Sequence, residues 1–99
     1  MNMMLPKKRP PTHPGVMLLK EFLEPLQMTQ KEFSTHLSWT YARLNEIING
    51  RRNVTADSAL ALGEALKTGP EFWLNLQQNW DLWHSKQHHE KVPPLKRVG

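Results

Sequence analysis

Hydrophobic residues recur along the chain at intervals of three and four residues, which is the spacing of amphipathic helices. The first predicted helix begins near Pro14, a favoured first helical residue, and ends before Pro25, which has no amide hydrogen to donate. Its inward stripe consists of Val16, Leu19, Phe22 and Leu23, with Leu26 following the break. We interpret this segment as a scaffold helix.

The second predicted helix has two independent start signals. Thr29 and Glu32 can form a capping box, in which each side chain accepts a hydrogen bond from the other residue's amide. Met28 and Phe33 stand at the two positions of a hydrophobic staple, which fixes the angle at which the chain joins the helix. After this helix, residues 36–39 must turn sharply.

The third predicted helix follows that turn and begins after Thr40, a competent N-cap. Its apolar face consists of Leu44, Ile47 and Ile48. Asn49–Gly50 then ends the helix, because glycine tolerates the left-handed conformation that follows many helices. The second and third helices together predict a helix-turn-helix.

Two further helices complete the predicted fold, an all-α bundle. The fourth begins after the N-cap Thr55, and Gly63 within it predicts a close helix crossing. Its inward residues are Ala59, Leu60, Leu62 and Leu66. The fifth begins at Gly69–Pro70–Glu71, with proline as the first helical residue. Its aromatic stripe consists of Phe72, Trp73, Leu76, Trp80 and Trp83.

This aromatic stripe is larger than a small domain readily hides. Part of it fits a core helix, and the remainder fits a contact with a second copy of the chain or with another protein. We predict that the stripe forms a dimer or partner interface, with Leu74 and Leu82 outside it.

The outer face of the third helix is polar. The residues that point away from its apolar stripe or flank it are Tyr41, Ala42, Arg43, Asn45, Glu46 and Asn49. Asparagine can pair with adenine, glutamate can accept from cytosine, and arginine can reach guanine or a phosphate. Gln30 at the start of the second helix suits a phosphate, and Arg51 and Arg52 add backbone contacts. We therefore interpret this face as a DNA-reading surface, the alternative being a solvated face that happens to be polar.

The net charge of +4 is unevenly distributed. Cations gather in the helix-turn-helix, in residues 84–99 and at the N-terminus, as Lys7, Lys8 and Arg9. Residues 55–83 are acidic, with Lys67 against Asp57, Glu64, Glu71 and Asp81. Positive charge on the reading unit and on both ends suits double-stranded DNA, although basic termini also serve solubility alone.

Several other function classes find no support. The chain has no cysteine, so disulfides, thiol catalysis and cysteine-ligated zinc are excluded. The opening residues MNMML are too short for the apolar region of a signal peptide, and no apolar segment is long enough to span a bilayer, so we expect a cytoplasmic protein without a membrane partner. No catalytic constellation is visible, so we expect neither an enzyme nor a cofactor. No carboxylate with the right spacing completes a metal site with His84, His88 and His89, and we interpret these histidines as part of a solvated tail.

Several segments resemble the HigA family of bacterial antitoxins, which are lambda-repressor-like, Xre-type helix-turn-helix proteins. These segments are His13–Gly15, Glu21–Leu26, Thr29–Gln30, Asn45–Arg52, Thr55–Asp57 and Pro70–Gln77. The resemblance extends from about His13 to Trp83. Its most specific part is Pro70–Gln77, which general Xre domains lack.

The resemblance implies a five-helix lambda-repressor-like domain and a homodimer formed through the C-terminal helix. It also implies binding to an inverted repeat in the operon's own promoter and a partner, a HigB toxin that is a RelE-like mRNA endonuclease. The DNA contacts that it implies are Gln30, Thr40, Tyr41, Ala42, Arg43, Asn45, Glu46, Asn49 and Arg51. The alternatives are a free-standing repressor without a toxin, and a protein-interaction module in which the helix-turn-helix is only a scaffold.

The expected organisation is a disordered basic arm at 1–12, the helix-turn-helix domain with its dimerisation helix at 13–84, and a flexible basic tail at 85–99. Three positions depart from the family pattern. Ser38 and Lys67 stand where glycine is common, and these two departures affect the expected geometry of local turns. Tyr41 at the head of the third helix is also unusual, and this departure affects the operator sequence that we would expect.

Overall fold

The computed structural model describes residues 9–96, so the predicted contributions of Lys7, Lys8 and Arg97 lie outside the described residues. Five helices follow one another in this range, and it contains no strand. Helix α1 is an α-helix over Pro14–Met17 that continues as a π-helix over Leu18–Leu23, and the others are α2 (Gln30–Leu37), α3 (Tyr41–Ile48), α4 (Ala56–Leu66) and α5 (Pro70–Lys86). The predicted all-α, five-helix fold is confirmed.

Threonine side chains cap the three helices for which the sequence predicted them. Thr29, Thr40 and Thr55 each accept a hydrogen bond from the amide three residues later, at 3.0, 3.1 and 3.3 Å. Glu32 completes the capping box by accepting from the Thr29 amide at 2.8 Å. This backbone hydrogen bond holds the pKa of the Glu32 carboxyl below its ordinary value.

Two helices end at left-handed residues that are not glycine. Ser38 closes α2 with φ of 59°, and Lys67 closes α4 with φ of 60°. These are the two positions at which the family pattern favours glycine. Glycine adopts this left-handed conformation without strain, whereas Ser38 and Lys67 adopt it at a cost of roughly 1 kcal/mol per residue.

The predicted inward stripe of α1 is wrong only in part, because Leu23 is buried and Leu19 and Phe22 pack against the core, whereas Val16 does not. Val16 is 46% exposed and Leu26 is 60% exposed, whereas Leu18 is fully buried together with Leu23. The cause is the π-helix, whose hydrogen bonds join residues five apart, as in the bond from the Glu24 amide to the Leu19 carbonyl at 2.9 Å. Leu18 and Leu23 are five residues apart, and both enter the core.

Close backbone approaches position the other helices. A side chain at Gly15 would overlap the Ile47 carbonyl oxygen, so α1 packs directly against the end of α3. A Cβ at Gly63 would lie 2.9 Å from the Thr68 carbonyl oxygen, so the predicted close approach exists but involves the turn after α4. Leu60 was predicted to point inward and is instead 51% exposed.

The core lies between the helix-turn-helix and α5. Its buried apolar residues are Leu18, Leu23, Phe33, Leu44, Ile47, Ile48, Val54, Ala59, Leu62 and Trp73. The predicted burial of Leu44, Ile47 and Ile48 is confirmed, and it fixes which face of α3 remains outside. Between residues 9 and 96, no helix has the length and apolar character needed to cross a membrane.

Candidate nucleic-acid interface

The outer face of α3 is polar, as the helical spacing predicted. Tyr41, Ala42 and Asn49 are exposed, while Asn45 and Glu46 are half-buried. The helix is short and its other face is fully committed to the core through Leu44, Ile47 and Ile48. Any ligand of α3 must therefore meet this polar face.

Three amide side chains form a hydrogen-bonded chain across this face. The Asn45 amide nitrogen donates to the Gln30 side-chain oxygen at 3.0 Å, and the Asn49 amide nitrogen donates to the Asn45 side-chain oxygen at 3.0 Å. The side-chain amide of Asn45 has further donor and acceptor capacity, because one such amide can form about four hydrogen bonds. The chain therefore orients Asn45 before any ligand arrives and leaves it able to bind one.

Glu46 and Arg52 form an ion pair at the end of α3. The Arg52 guanidinium approaches a Glu46 carboxylate oxygen at 2.7 and 2.8 Å through two of its nitrogens. The Glu46 carbonyl also accepts from the Arg51 and Arg52 amides, at 2.8 and 3.2 Å. The Glu46 charge that would repel a phosphate is thereby balanced, and the side chain of Arg51 is exposed beside the pair.

Arg43 does not extend into solvent. Its guanidinium carbon lies 4.0 Å from the centre of the Trp39 ring, and one nitrogen donates to the Ser58 hydroxyl at 3.1 Å. The same nitrogen lies 3.5 Å from an Asp57 carboxylate oxygen. The sequence pattern missed these contacts, because Asp57 and Ser58 are distant in the chain.

The structure brings most of the predicted DNA-contacting residues to one surface. Gln30, Asn45 and Asn49 are linked by hydrogen bonds, and Ala42 is exposed on the same helix. The Thr40 hydroxyl caps α3, so its oxygen already accepts the Arg43 amide. Tyr41 is 52% exposed at the head of the helix.

The aromatic stripe of α5 divides between the core and the surface. Trp73 was predicted as an interface residue, but it is fully buried and donates from its ring nitrogen to the Thr68 hydroxyl at 2.8 Å. Because it has no exposed surface, it cannot contact a partner. Leu76, Trp80 and Trp83 are half-buried, and Phe72 is 37% exposed beside Phe22 at a ring distance of 6.1 Å.

Leu82, which the sequence placed outside the stripe, is 51% exposed. It lines a shallow groove on α5 together with Leu74, Gln78, Asp81 and others. The surface that α5 leaves open is therefore rotated away from the predicted stripe, because α1 already covers part of that stripe.

Gln77 is a buried polar residue that the helical pattern did not predict. It is 5% exposed, and its side-chain oxygen accepts from the Val54 amide at 2.7 Å. Its side-chain nitrogen donates to Asn53 at 3.3 Å and to Asp81 at 3.0 Å. Gln77 thus joins α5 to the loop that follows Arg52.

His13 lies where α1, α3 and α5 meet. Its Nδ1 accepts from the Gly15 amide at 2.8 Å and caps α1, while its ring and that of Trp80 pack in a T-shaped arrangement with their centres 5.0 Å apart. Burial lowers the pKa of His13, an effect that Asp81 opposes and His84 reinforces. Within the described part of the chain, no group of three or more histidine and acidic residues is arranged to hold a metal ion.

Comparison with known proteins places this geometry among helix-turn-helix proteins. Residues 19–73 match the Helix-turn-helix family. The chain is 38% identical over 92 residues to antitoxin HigA-1 of Vibrio cholerae, covering 89% of this chain and 87% of that protein. It is 36% identical over 90 residues to an uncharacterised HTH-type transcriptional regulator of Escherichia coli K12, covering 91% and 80%. The solved structure of antitoxin GraA in complex with its operator superposes with a TM-score of 0.76 at 37% identity, covering 87% of each chain.

Proposed function

We propose that this chain, which belongs to the Helix-turn-helix family whose members include HigA antitoxins, is an antitoxin that represses its own operon. It binds the promoter as a sequence-specific dimer and neutralises a toxin by direct contact. The observation that carries the DNA-binding part is the polar outer face of α3, on which Gln30 and Asn49 hold the Asn45 amide in place.

The face of α3 suits the major groove of DNA. An α-helix fits that groove, and an oriented asparagine amide can donate to N7 of adenine while accepting from its N6 amine. Asn45 is the residue best placed for this pairing, because its neighbours fix the amide and α3 is anchored by buried residues. Ala42 and Tyr41 would contribute apolar contacts to thymine methyl groups or sugars.

Phosphate contacts would set the register of the protein on the duplex. Gln30 is the first residue of α2, where free amides and the helix dipole favour an anion. Arg51 follows α3 with an exposed side chain and supplies positive charge, while the charge of Arg52 offsets that of Glu46. Binding should therefore weaken as salt rises, since each neutralised phosphate releases condensed counterions.

A dimer would use the exposed part of α5. Leu82 is 51% exposed, and Trp80 and Trp83 are half-buried on the same half of the helix. Exposed apolar surface of this kind is typical of protein interfaces. Two copies related by a twofold axis would place two α3 helices in successive major grooves, with half-sites about 34 Å apart.

The toxin partner rests on the resemblance to HigA and on the relative named antitoxin HigA-1. We propose that the partner is a HigB-like, RelE-like mRNA endonuclease, a small basic protein. The acidic segment at 55–83 provides charge of the opposite sign through Glu64, Glu71 and Asp81, since Asp57 already pairs with Arg43.

A second candidate is a free-standing repressor without a toxin. It is favoured by the relative that is named only as an HTH-type transcriptional regulator, to which 91% of this chain is similar. This candidate keeps every DNA contact proposed above and lacks only the protein partner.

DNA binding is tested by fluorescence anisotropy on a labelled duplex from the region upstream of the gene. We expect the protein to prefer this duplex to one of scrambled sequence, and Arg51→Ala to reduce the dependence of log K on log salt by about one. Lys67→Ala, in the acidic segment at the end of α4, is the matched loss of charge and should leave that slope unchanged. Equal affinity for both duplexes would contradict the proposal of sequence-specific DNA binding.

The toxin is tested through the neighbouring gene. We expect its product to arrest growth when expressed alone, to lose that effect on co-expression with this chain, and to purify with it. Arrest that persists on co-expression would favour the free-standing repressor, provided that the promoter duplex is still bound.

A further inference from the structure

We propose that Arg43 is a positioning residue that fixes α3 against the start of α4, and that it does not read a base. This inference rests on the proposed function, because it assumes that α3 lies against DNA. It assigns Arg43 a role different from the one that its place in the helical pattern suggested.

The Arg43 guanidinium is held from two sides. The Trp39 ring lies 4.0 Å away, and the Ser58 hydroxyl accepts a hydrogen bond at 3.1 Å. Only 29% of the Arg43 side chain is exposed. A guanine-reading arginine needs its donors directed together at the base edge, and here one terminal nitrogen already serves Ser58 and Asp57.

The anchor on α4 is rigid. Ser58 is 2% exposed, its amide is capped by Thr55, and its hydroxyl lies 3.2 Å from the Thr55 hydroxyl. A cation near the start of a helix is disfavoured by the helix dipole. Asp57 offsets this effect only slightly, because its side chain is 88% exposed and the ion pair is long. The stacking on Trp39 and the bond to Ser58 therefore carry most of the attachment.

Three elements converge on this one side chain. Trp39 belongs to the turn before α3, Arg43 lies in the first turn of α3, and Ser58 lies in the first turn of α4. Arg43 thus controls how α3 is tilted relative to the rest of the fold. Asn45 is two residues away, so a change in this tilt moves the proposed base-reading amide.

The test compares Arg43→Ala, Ser58→Ala and the double variant. The probe is a duplex that the wild-type protein selects from a random library, with a scrambled duplex as reference. We expect each single variant to lower the preference for the selected duplex on the order of tenfold, the size of one hydrogen bond to a charged group. The double variant should be no worse than Arg43→Ala, because the loss of Arg43 already breaks its contact with Ser58.

Two further readouts separate positioning from direct contact. The slope of log K against log salt should stay at the wild-type value in both single variants. Each variant should also discriminate less between bases at all positions that α3 reads. A slope that falls by about one only in Arg43→Ala would indicate a phosphate contact and overturn the inference. Relaxation at a single base pair in Arg43→Ala, absent from Ser58→Ala, would indicate base reading and overturn it as well.

Ser34→Ala is the matched control. Ser34 is a buried serine, 3% exposed, that donates to the Lys31 carbonyl at 2.9 Å and lies on α2. We expect this variant to keep the wild-type preference, with folding of all variants checked by circular dichroism. A folded Ser58→Ala that binds like wild type would refute the positioning role. A wild-type protein that selects no duplex would instead refute the proposed function, and this inference with it.

Discussion

Helices α3 and α5 distribute their side chains in opposite ways. Helix α3 buries Leu44, Ile47 and Ile48 and turns amides and charges outward. Helix α5 buries the polar Gln77, which is 5% exposed, and leaves Leu82 51% exposed. Helix α3 thus buries apolar residues and exposes polar ones, as amphipathic helices ordinarily do, whereas α5 reverses this arrangement at two positions.

This difference indicates two kinds of ligand. A helix whose outer face is polar and already hydrogen-bonded offers donors and acceptors to another polar surface, as the grooves of DNA require. A helix with exposed apolar residues gains most from a protein surface that removes them from water. The buried Gln77 connects the two regions, because it binds the loop that leads out of α3.

The largest expected effect comes from the core half of α5. Trp73→Ala removes a fully buried side chain and its hydrogen bond to Thr68, and we expect a loss of about 3–5 kcal/mol in the free energy of unfolding. Urea denaturation followed by circular dichroism measures this loss. A change below about 1 kcal/mol would mean that the core does not depend on this half of the helix.

The second effect concerns the buried amide. Gln77→Ala leaves the Val54 amide without its side-chain partner, and we expect a loss of about 1–3 kcal/mol. Hydrogen exchange at the Val54 amide should accelerate more than exchange in α2. Gln78→Ala, an exposed neighbour, is the control and should change neither quantity.

The surface half of α5 should behave differently. Leu82→Ala should change monomer stability by no more than about 0.5 kcal/mol, yet weaken self-association measured by sedimentation on dilution. Leu60→Ala on α4 is a close control, because both leucines are 51% exposed. Equal self-association in the two variants would place the interface elsewhere.

The pH dependence of stability tests the junction at His13. Burial lowers its pKa from 6.5, so the unfolded chain binds a proton before the folded chain does. Stability should therefore be complete above about pH 6.5 and fall as the pH drops below it, until the folded-state pKa is reached. Protonation also removes the Nδ1 acceptor that caps α1.

His13→Asn keeps a side chain that can cap a helix and lacks the titrating ring. We expect its melting temperature to depend less on pH than that of wild type, whereas the exposed His36→Asn should retain the wild-type slope. Parallel curves for all three proteins would contradict this role of His13.

The smallest effect is a gain at the turn between α4 and α5. Lys67→Gly relieves the strain of a left-handed residue with φ of 60° but gives the unfolded chain more freedom, so we expect a net gain in stability of no more than about 1 kcal/mol by thermal denaturation. Gly50→Ala, where φ is 76°, makes the opposite change and should destabilise the protein. A loss of stability in Lys67→Gly would show that the lysine side chain contributes more than the strain costs.

Local chemistry made some of these features predictable from the sequence. The caps at Thr29, Thr40 and Thr55 need only the residue and the amide three positions later, and all three are present. The buried face of α3 follows from regular helical spacing. The polar outer face was predicted for the same reason.

Tertiary contacts and irregular backbone explain what the sequence did not reveal. In α1, Leu18 is buried and the predicted Val16 is exposed, because the π-helix departs from the α-helical spacing used for the prediction. Arg43 turned toward Ser58, and Gln77 toward Val54, through contacts between distant segments. The side of α5 that stays exposed depends on which of its faces α1 covers. The sequence pattern of a single helix does not reveal this.

The central claim is that the outer face of α3 reads DNA, and the affinity of Asn45→Ala for the selected duplex tests it most directly. Asn75→Ala, an exposed asparagine on α5, is the control. We expect Asn45→Ala to lose on the order of tenfold in affinity, with relaxed discrimination at one base pair, while Asn75→Ala binds as wild type. Wild-type affinity and unchanged base preference in a folded Asn45→Ala protein would contradict it.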